Sequence, residues 1–469
     1  AAEAAAAAKD GAGIGGGGSG KRPADKAELA VSKKAKKSKQ VEAAVEPPAE
    51  PPASSDKKAK KKAAKAAAAA ADEPSEMAEV GDAELARSGK AIVKQLYKEH
   101  ADVAALRGDE LEALYSQRCI TVEGTGIKPV LKFEQTGLPA NMLHATRDFQ
   151  EPSPIQSQCW PIIMSGHDLI GIAATGSGKT LAFGLPALAH IQAQRDAGVV
   201  SGKGPFALAM APTRELAMQI AQVLVEAGSK CNVRCLCVYG GVPKRDQMDA
   251  LRAGVEFVVG TPGRLEDLMN EGACQLRQVT YLVLDEADRM LDLGFEPHIR
   301  NICSHVRCDR QTLMFSATWP TAVQKLAANF LCSSAIKVTV GSQDLAASHS
   351  ISQVVEVIDP RARGDRLLQL LQTHHKSRKN RIIIFVLYKK EAPQVEQLLQ
   401  RRGWSCAAIH GDISQGQRTA AVESFKAGTI PLLIATDVAA RGLDIPDVEV
   451  VINYSFPLTT EDYVHRIGR

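Results

Sequence analysis

The sequence predicts an α/β protein built from two tandem domains, each a parallel sheet flanked by helices, behind a disordered basic amino-terminal tail. From Asp168 onward, short apolar runs alternate with longer stretches of helical periodicity, which is typical of such sheets. A second series of the same kind begins near Ile351. The chain has 469 residues, of which 45% are hydrophobic, so two or three domains with buried cores are feasible.

Residues 1–90 differ in composition from the rest of the chain. They are mostly Ala, Lys, Gly, Pro and Glu and contain no aromatic side chain, so they cannot bury enough apolar surface to offset the entropy of ordering. The first 70 residues carry 15 basic and 8 acidic side chains, and compact lysine clusters lie at 33–37 and 57–62. Such clusters favour nuclear import or attraction to RNA, although a merely solubilising tail is the alternative.

The remaining chain divides at its small, polar stretches. We expect an amino-terminal extension over 91–130, a first domain over 131–342 and a second domain over 350–469, joined near 341–350 by GSQDLAASHS. Helix is expected around 394–402. The predicted strands are DLIGIA, FALAMA, EFVVG, YLVLD and TLMFS in the first domain and RIIIFV, LLIAT and VEVVINY in the second.

Cysteine usage and hydropathy limit the class of protein. Ten cysteines fall without metal-type pairs, and the closest cluster, Cys231, Cys235 and Cys237, lies in a largely apolar run that favours buried thiols over a zinc site. No apolar stretch approaches the ~18 residues of a membrane span, and the alanine-rich start lacks the leucine-type core of a signal peptide. We therefore expect a soluble, reduced, intracellular protein without membrane association.

A phosphate-binding loop follows the first of these strands. The segment AATGSGKT at 173–180 has the required spacing, with Ala173 in the usual first glycine position. Gly176 and Gly178 let backbone amides close around phosphate oxygens, Lys179 balances the phosphate charge, and Thr180 offers its hydroxyl to Mg²⁺ at a helix start. The strand before and the helix after this loop favour an ATP site over a chance match.

The tetrad Asp-Glu-Ala-Asp at 285–288 ends the strand YLVLD, about 105 residues after the loop. Asp285 at the carboxyl end of a strand can hold Mg²⁺, and Glu286 can orient and deprotonate an attacking water. An acidic helix cap is the alternative interpretation, but the pairing with a phosphate loop favours catalysis.

The order of these segments resembles the DEAD-box ATP-dependent RNA helicases from about residue 131 to the end. The resemblance implies two RecA-like domains, an ATP-binding and a carboxyl-terminal helicase domain, and ATP hydrolysis as the activity. Phe133 and the segment at 148–156 are similar to the family's adenine-reading motif, with Asp148 where glycine is usual. The implied nucleotide contacts are Phe133, Gln156, Ala174, Thr175, Gly176, Ser177, Gly178, Lys179, Thr180, Asp444 and Arg466.

Further segments resemble the family's RNA-facing and coupling motifs. They are APTRELA, the pair Gly240–Gly241, TPGR, SAT, IIIFV, QGQR, ATDVAARGLD and YVHRIGR; singly, each could be a helix cap or a turn. The resemblance implies catalytic roles for Glu286, Asp285, Lys179, Arg469, Ser316 and Thr318. It implies backbone contacts with RNA for Thr213, Arg214, Gly241, Thr261, Arg264, Arg418, Thr436 and Arg441.

One departure concerns the last motif, which in the family continues three residues beyond Arg469 to a further arginine. Because arginine fingers are worth ~10³–10⁵ in turnover, we expect this chain to bind ATP but to hydrolyse it slowly.

The resemblance predicts local unwinding of RNA duplexes or remodelling of RNA–protein complexes, without sequence specificity. A non-catalytic RNA clamp, a DNA translocase and a messenger-RNA or splicing helicase are the alternatives. The lysine-rich tail and the segment 159–188 look most similar to the nucleolar branch that acts in rRNA processing and ribosome biogenesis. We accordingly expect a monomer in the nucleus, in the nucleolus, with RNA and pre-ribosomal proteins as partners.

Overall fold

The computed structural model describes residues 90–341, 351–440, 443, 445 and 447–468. The predicted tail and most of the predicted linker lie outside these residues. Three predicted site residues, Arg441, Asp444 and Arg469, also lie outside them.

The first domain is an eight-stranded sheet with helices packed against it. Its strands are β1 (Ile120–Glu123), β2 (Leu169–Ile172), β3 (Ala207–Met210), β4 (Cys235–Val238), β5 (Phe257–Gly260), β6 (Tyr281–Leu284), β7 (Gln311–Ser316) and β8 (Ile336–Val340). Its α-helices are α1 (Ala101–Ala104), α2 (Gly108–Arg118), α3 (Ala140–Leu143), α4 (Pro154–Met164), α5 (Lys179–Asp196), α6 (Arg214–Gly228), α7 (Arg245–Ala253), α8 (Pro262–Asn270), α9 (Ala287–Asp292), α10 (Glu296–Ser304) and α11 (Thr321–Phe330). Short 3₁₀ helices cover Phe133–Thr136 and His144–Thr146.

The second domain has a four-stranded parallel sheet within the described residues. Its strands are β9 (Arg381–Val386), β10 (Cys406–Ile409), β11 (Leu432–Thr436) and β12 (Val448–Asn453). Its helices are the 3₁₀ helix Pro360–Ala362 and α12 (Arg363–His374), α13 (Glu391–Arg401), α14 (Gln415–Lys426), α15 (Asp437–Ala440) and α16 (Thr460–Ile467). Two RecA-like domains with parallel sheets flanked by helices, as predicted, are therefore present.

Each predicted apolar run contains a strand, and the predicted helix at 394–402 corresponds to α13, which ends at Arg401. The amino-terminal extension adds a strand that the sequence pattern did not predict. Within that extension, β1 pairs antiparallel with β8, with Ile120 opposite Val340. All other strand pairs within the described residues are parallel. The extension is thus part of the first sheet.

Strand order places the predicted site segments next to one another at the carboxyl ends of strands in the first sheet. The order is β1-β8-β2-β7-β6-β3-β5-β4, so β2, β7 and β6 are neighbours. Because these strands are parallel, the segments that follow their carboxyl ends lie side by side. Those segments are the phosphate loop, SAT and the Asp-Glu-Ala-Asp tetrad.

Within the described part of the chain, no helix is both long enough and apolar enough to cross a membrane.

A buried histidine between α5 and β6 makes the first domain sensitive to acid. His190 is 2% exposed, and a ring nitrogen lies 2.9 Å from the Thr280 hydroxyl. Burial and, to a lesser extent, the nearby Lys94 charge lower the pKa of His190 to about 3. The folded protein therefore resists a proton that the unfolded chain accepts.

We expect stability to fall as the pH drops below about 6.5, the ordinary pKa of histidine, with a cost at about pH 5 of about 2 kcal/mol. Urea unfolding of the wild type and of His190→Gln at neutral and acidic pH measures this cost. The variant is expected to show the weaker pH dependence; equal pH dependence would contradict the assignment.

Candidate nucleotide and RNA site

The phosphate loop joins β2 to α5, and its shape depends on glycine. Gly178 immediately precedes α5 with φ +91°, which L side chains rarely adopt. A Cβ on Gly178 would also lie 2.5 Å from Gln156 Nε2. The loop therefore reaches the start of an 18-residue helix, whose free backbone amides favour an anionic group.

Gln156 from α4 holds this loop in place. Its Nε2 donates to the Gly178 carbonyl at 3.1 Å, while its Oε1 accepts from the Ser153 backbone N–H at 3.1 Å. The Ser153 hydroxyl donates to the Ser177 carbonyl at 2.8 Å. The amide of Gln156 keeps a second N–H and a second lone pair, which suit the edge of an adenine.

Lys179 and Asp285 place opposite charges at the base of the cleft. The Lys179 ammonium is buried and donates to the carbonyls of Ala173 and Ala174 at 2.8 and 3.0 Å. Burial raises the pKa of Asp285, while the Lys179 charge opposes that rise. An incoming cation beside Asp285 would favour its charged form.

Glu286, next in sequence, has a strained backbone. It adopts φ +51° and ψ 53° at the start of α9, in the left-handed region that costs a non-glycine residue of order 1 kcal/mol. The turn directs the chain so that both Asp285 and Glu286 line the cleft. Such local strain is typical of functional sites.

Asp288 connects the tetrad to the segment after β7. Its Oδ2 accepts from the Thr318 hydroxyl at 2.7 Å and from the Thr318 backbone N–H at 3.2 Å. Ser316 lies beside them at the end of β7, and its buried hydroxyl has no hydrogen-bond partner within the described residues. Thr318 therefore links the two segments directly, whereas the Ser316 carbonyl accepts from the Ala173 backbone N–H of the phosphate loop at 3.1 Å.

Both domains border the nucleotide cleft, a cavity of about 1040 Å³. Leu443, Ile445 and Gly468 of the second domain line it, and the Thr175 hydroxyl donates to the Gly468 carbonyl at 3.4 Å. The first domain contributes Gln156, the loop residues 175–180, Asp285 and Glu286.

The amino-terminal extension also lines the cleft, which the sequence pattern did not indicate. Gln117 and Arg118 from the end of α2 belong to its wall. Arg118 donates to the Pro152 carbonyl at 3.2 Å and to a Glu151 carboxylate oxygen at 3.1 Å. The extension thus supports the segment that leads into α4.

A polar network crosses between the domains away from the nucleotide cleft. Arg214 donates to Gln415 Oε1 at 2.9 Å, and Gln415 Nε2 donates to Glu215 Oε1 at 3.0 Å. The Arg418 Nε atom lies 3.0 Å from the same Glu215 oxygen, as an ion pair. A second crossing pairs Arg289 with Asp462 at 3.3 Å. These contacts hold α6 and α9 against α14 and α16.

Comparison with known proteins decides the family. The DEAD/DEAH box helicase family matches residues 153–326, and the helicase conserved C-terminal domain matches residues 362–469. The chain is 57% identical over 343 residues to DEAD-box ATP-dependent RNA helicase 5 of Oryza sativa subsp. japonica, covering 73% of this chain and 67% of that protein. This chain belongs to the DEAD-box ATP-dependent RNA helicase family.

Two further relatives of this DEAD-box helicase are informative. It is 50% identical over 377 residues to ATP-dependent RNA helicase DBP3 of Meyerozyma guilliermondii, covering 80% of this chain and 69% of that protein. The structure of S. cerevisiae Dbp5 bound to RNA and ADP BeF3 matches 72% of this chain and 85% of its own, with 30% identity and a TM-score of 0.64. The chain is therefore an ATP-dependent hydrolase of the RNA helicase class.

The structure of this DEAD-box helicase places two predicted nucleotide contacts elsewhere. Phe133 is 8% exposed, packs on Trp160 at a ring distance of 5.9 Å and does not line the cleft. Phe149 does line it and is 58% exposed. Arg466 is 1% exposed and outside the lining, because it pairs with Asp437 at 2.7 Å. The position of Phe149 inside the segment 148–156 is the sequence feature that could have identified it as a cleft residue.

The predicted RNA contacts of the helicase are mostly engaged within the protein. Arg264 donates to Gln247 and to the Val242 carbonyl, which fixes the loop after Gly241. Gly241 has φ +84°, and a Cβ there would lie 2.4 Å from Arg214 Nη1. Thr213 caps α6 through its hydroxyl, whereas Thr261 and Thr436 are buried at the ends of β5 and β11. These residues hold the surface loops and helix ends in place through contacts within the protein. Their contacts with RNA remain predictions.

Phe149→Ala is expected to raise the KM for ATP several-fold with little change in kcat, because an exposed ring beside Gln156 suits stacking on adenine, worth about 0.5–1.5 kcal/mol. Phe133→Ala serves as the comparison: it should lower thermal stability, by about 3–5 kcal/mol, without changing the preference for ATP over GTP. If Phe133→Ala alone relaxed that preference, the original assignment of Phe133 would stand.

Glu215→Ala is expected to weaken RNA-stimulated ATP hydrolysis, since it leaves Arg418 and Gln415 without their shared acceptor across the domains. Burial lowers the pKa of Arg418, and the Glu215 charge opposes that shift, so the charged form of Arg418 depends on Glu215. A double-mutant cycle with Arg418→Ala should give a coupling of about 0.5–3 kcal/mol. Additive effects of the two substitutions would contradict direct coupling.

Proposed function

We propose that this helicase separates short RNA duplexes or remodels RNA–protein complexes by closing its two domains on ATP, Mg²⁺ and a single RNA strand. The observation that carries the proposal is the nucleotide cleft lined from both domains, with Thr175 bonded to Gly468. A site that needs both domains couples nucleotide binding to their relative position.

The donor set fits a magnesium nucleotide. Thr180 and Asp285 supply the hydroxyl and carboxylate oxygens that Mg²⁺ prefers, and both line the cleft beside Lys179. The bound ion would neutralise charge on the phosphates. Thr180 and Asp285 would hold the metal, Lys179 would contact the phosphates, and Glu286 would accept the proton of the attacking water.

Support for the RNA part comes from the resemblance to Dbp5, whose structure contains RNA and ADP BeF3. We propose that RNA lies near Arg214, Gly241 and Arg418 and contacts this surface through its sugar–phosphate backbone. Contacts of this kind carry no sequence information, so selectivity among RNA sequences is expected to be low.

For the pathway, we propose rRNA processing and ribosome biogenesis in the nucleolus, with pre-ribosomal proteins as partners and the helicase itself a monomer. The lysine clusters at 33–37 and 57–62 and the similarity of 159–188 to the nucleolar branch support this proposal. A messenger-RNA or splicing role is the competing outcome of its test.

The pathway test is crosslinking of the tagged protein to RNA in cells, followed by sequencing. Enrichment on pre-rRNA, with accumulation of rRNA precursors when Glu286→Gln is expressed, is the expected result. Enrichment on introns or mature messenger RNA without precursor accumulation would replace the proposal with the competing pathway.

A further inference from the structure

We propose that a cationic cavity in the second domain, separate from the nucleotide cleft and from the proposed RNA surface near Arg214, Gly241 and Arg418, binds the sugar–phosphate backbone of RNA that extends beyond that surface. The cavity has a volume of about 420 Å³ and lies where α12 ends, before β9, and where α13 ends, before β10. The polar and aromatic side chains that line it are Gln372, His375, Lys376, Arg378, Arg402 and Trp404.

The charge of this cavity is uncompensated. Lys376, Arg378 and Arg402 contribute three cations, and no carboxylate among the described residues lines the cavity. Within the part of the chain that the structure describes, none of the three forms an ion pair. Clustered like charges repel one another, so an anionic ligand that spans them would stabilise the cluster. Phosphate groups match the donors of arginine and lysine.

One of these cations is held in a fixed position. Arg378 has φ +55°, its Nη1 donates to the Gly403 carbonyl at 3.1 Å, and its guanidinium lies 4.5 Å from the centre of the Trp404 ring. The ring of His375 packs near Trp404 at 5.7 Å and lies 2.6 Å from Asn380 Oδ1. A strained backbone supporting a stacked arginine is typical of a site organised before its ligand binds.

The position of the cavity makes it distinct from the cleft. It borders the amino ends of β9 and β10, whereas the predicted RNA residue Thr436 ends β11 at the opposite edge of the parallel sheet. Six residues of β9 separate the two edges by about 20 Å. Only RNA that extends beyond the proposed RNA surface can therefore reach the cavity as well.

RNA is favoured over an acidic protein as the occupant because, under the proposed function on which this inference rests, RNA already lies near Arg214, Gly241 and Arg418. A strand bound there presents its flanking phosphates to the cavity at a high effective concentration, without a second encounter.

The test compares RNA binding by the full chain and by the double variant Arg378→Gly, Arg402→Ala. Glycine suits the left-handed backbone at 378, so the fold is preserved. Fluorescence anisotropy is measured over a range of salt with a short RNA that covers only the proposed RNA surface and with one well beyond the ~4–16 nucleotides that a single OB fold occupies. Losing two phosphate contacts should lower the salt slope for the longer RNA by about 1.4.

The matched control is Arg361→Ala, Arg401→Ala, which removes two exposed cations of the same domain from outside the cavity. The proposal predicts weaker binding of the longer RNA by the cavity variant alone, with short-RNA binding and short-RNA-stimulated ATP hydrolysis unchanged. It is overturned if both double variants lose the same affinity, or if the short RNA is affected as strongly as the longer one. Poly-glutamate binding lost in the cavity variant, with RNA binding intact, would equally overturn it in favour of an acidic partner.

Discussion

ATP hydrolysis is expected to fall by about 10²–10⁴-fold when Glu286 is replaced by glutamine, the usual contribution of a positioned general base. Glutamine keeps the size of the side chain and cannot accept the proton, so ATP binding should be retained. Steady-state turnover and binding of a fluorescent ATP analogue, measured on the same preparation with saturating RNA, separate these two effects.

The matched control for this prediction is Glu296→Gln. Glu296 begins α10 and forms a surface ion pair with Arg300 at 2.9 Å, outside the cleft lining. Its replacement should leave turnover unchanged. Turnover of Glu286→Gln within a few-fold of the wild type would remove Glu286 from the role of base.

Lys179→Met is expected to weaken ATP binding by about 2–5 kcal/mol, or roughly 30-fold or more, because a buried cation that would contact phosphate is lost. The same change removes the charge that opposes the raised pKa of Asp285. As the pH is lowered, a carboxyl with a higher pKa becomes protonated at a higher pH. Residual metal-dependent binding should therefore be lost at a higher pH in the variant than in the wild type.

Asp285→Asn distinguishes the role of Asp285 in metal binding from its effect on the stability of the folded protein. Since burial raises the pKa of Asp285, its charged form destabilises the folded protein without nucleotide, and that cost is present as the pH rises above the folded pKa. The asparagine variant should therefore unfold at a higher temperature than the wild type while failing to bind magnesium ATP. A lower unfolding temperature would show that Asp285 is stabilised by its surroundings.

The strands and the phosphate loop that the sequence predicted depend on local patterns of residues. The alternation of apolar runs and helical stretches located β2, β3, β5, β6, β7, β9, β11 and β12, whereas β8 and β10 were not predicted. The loop chemistry at 173–180 follows from glycine and helix geometry alone. β1 was not predictable in this way, because ITVE is four residues long and its partner β8 lies more than two hundred residues later.

The site residues that were missed depend on packing between distant segments. Phe133 and Phe149 are both plausible aromatic residues before Gln156, and only the packing of Phe133 on Trp160 distinguishes them. Likewise, no local pattern reveals that Arg118 supports the wall of the cleft. The ion pair between Glu215 and Arg418 requires two domains to meet, which a single sequence does not encode in any spacing.

Steady-state ATP hydrolysis by this chain without nucleic acid, with single-stranded RNA and with DNA of the same sequence tests the central claim most directly. Domain closure on RNA predicts stimulation by RNA, little by DNA, and loss of that stimulation in both Glu286→Gln and Glu215→Ala. Equal stimulation by DNA, or RNA-independent turnover unaffected by Glu215→Ala, would contradict an RNA-driven closure of the two domains.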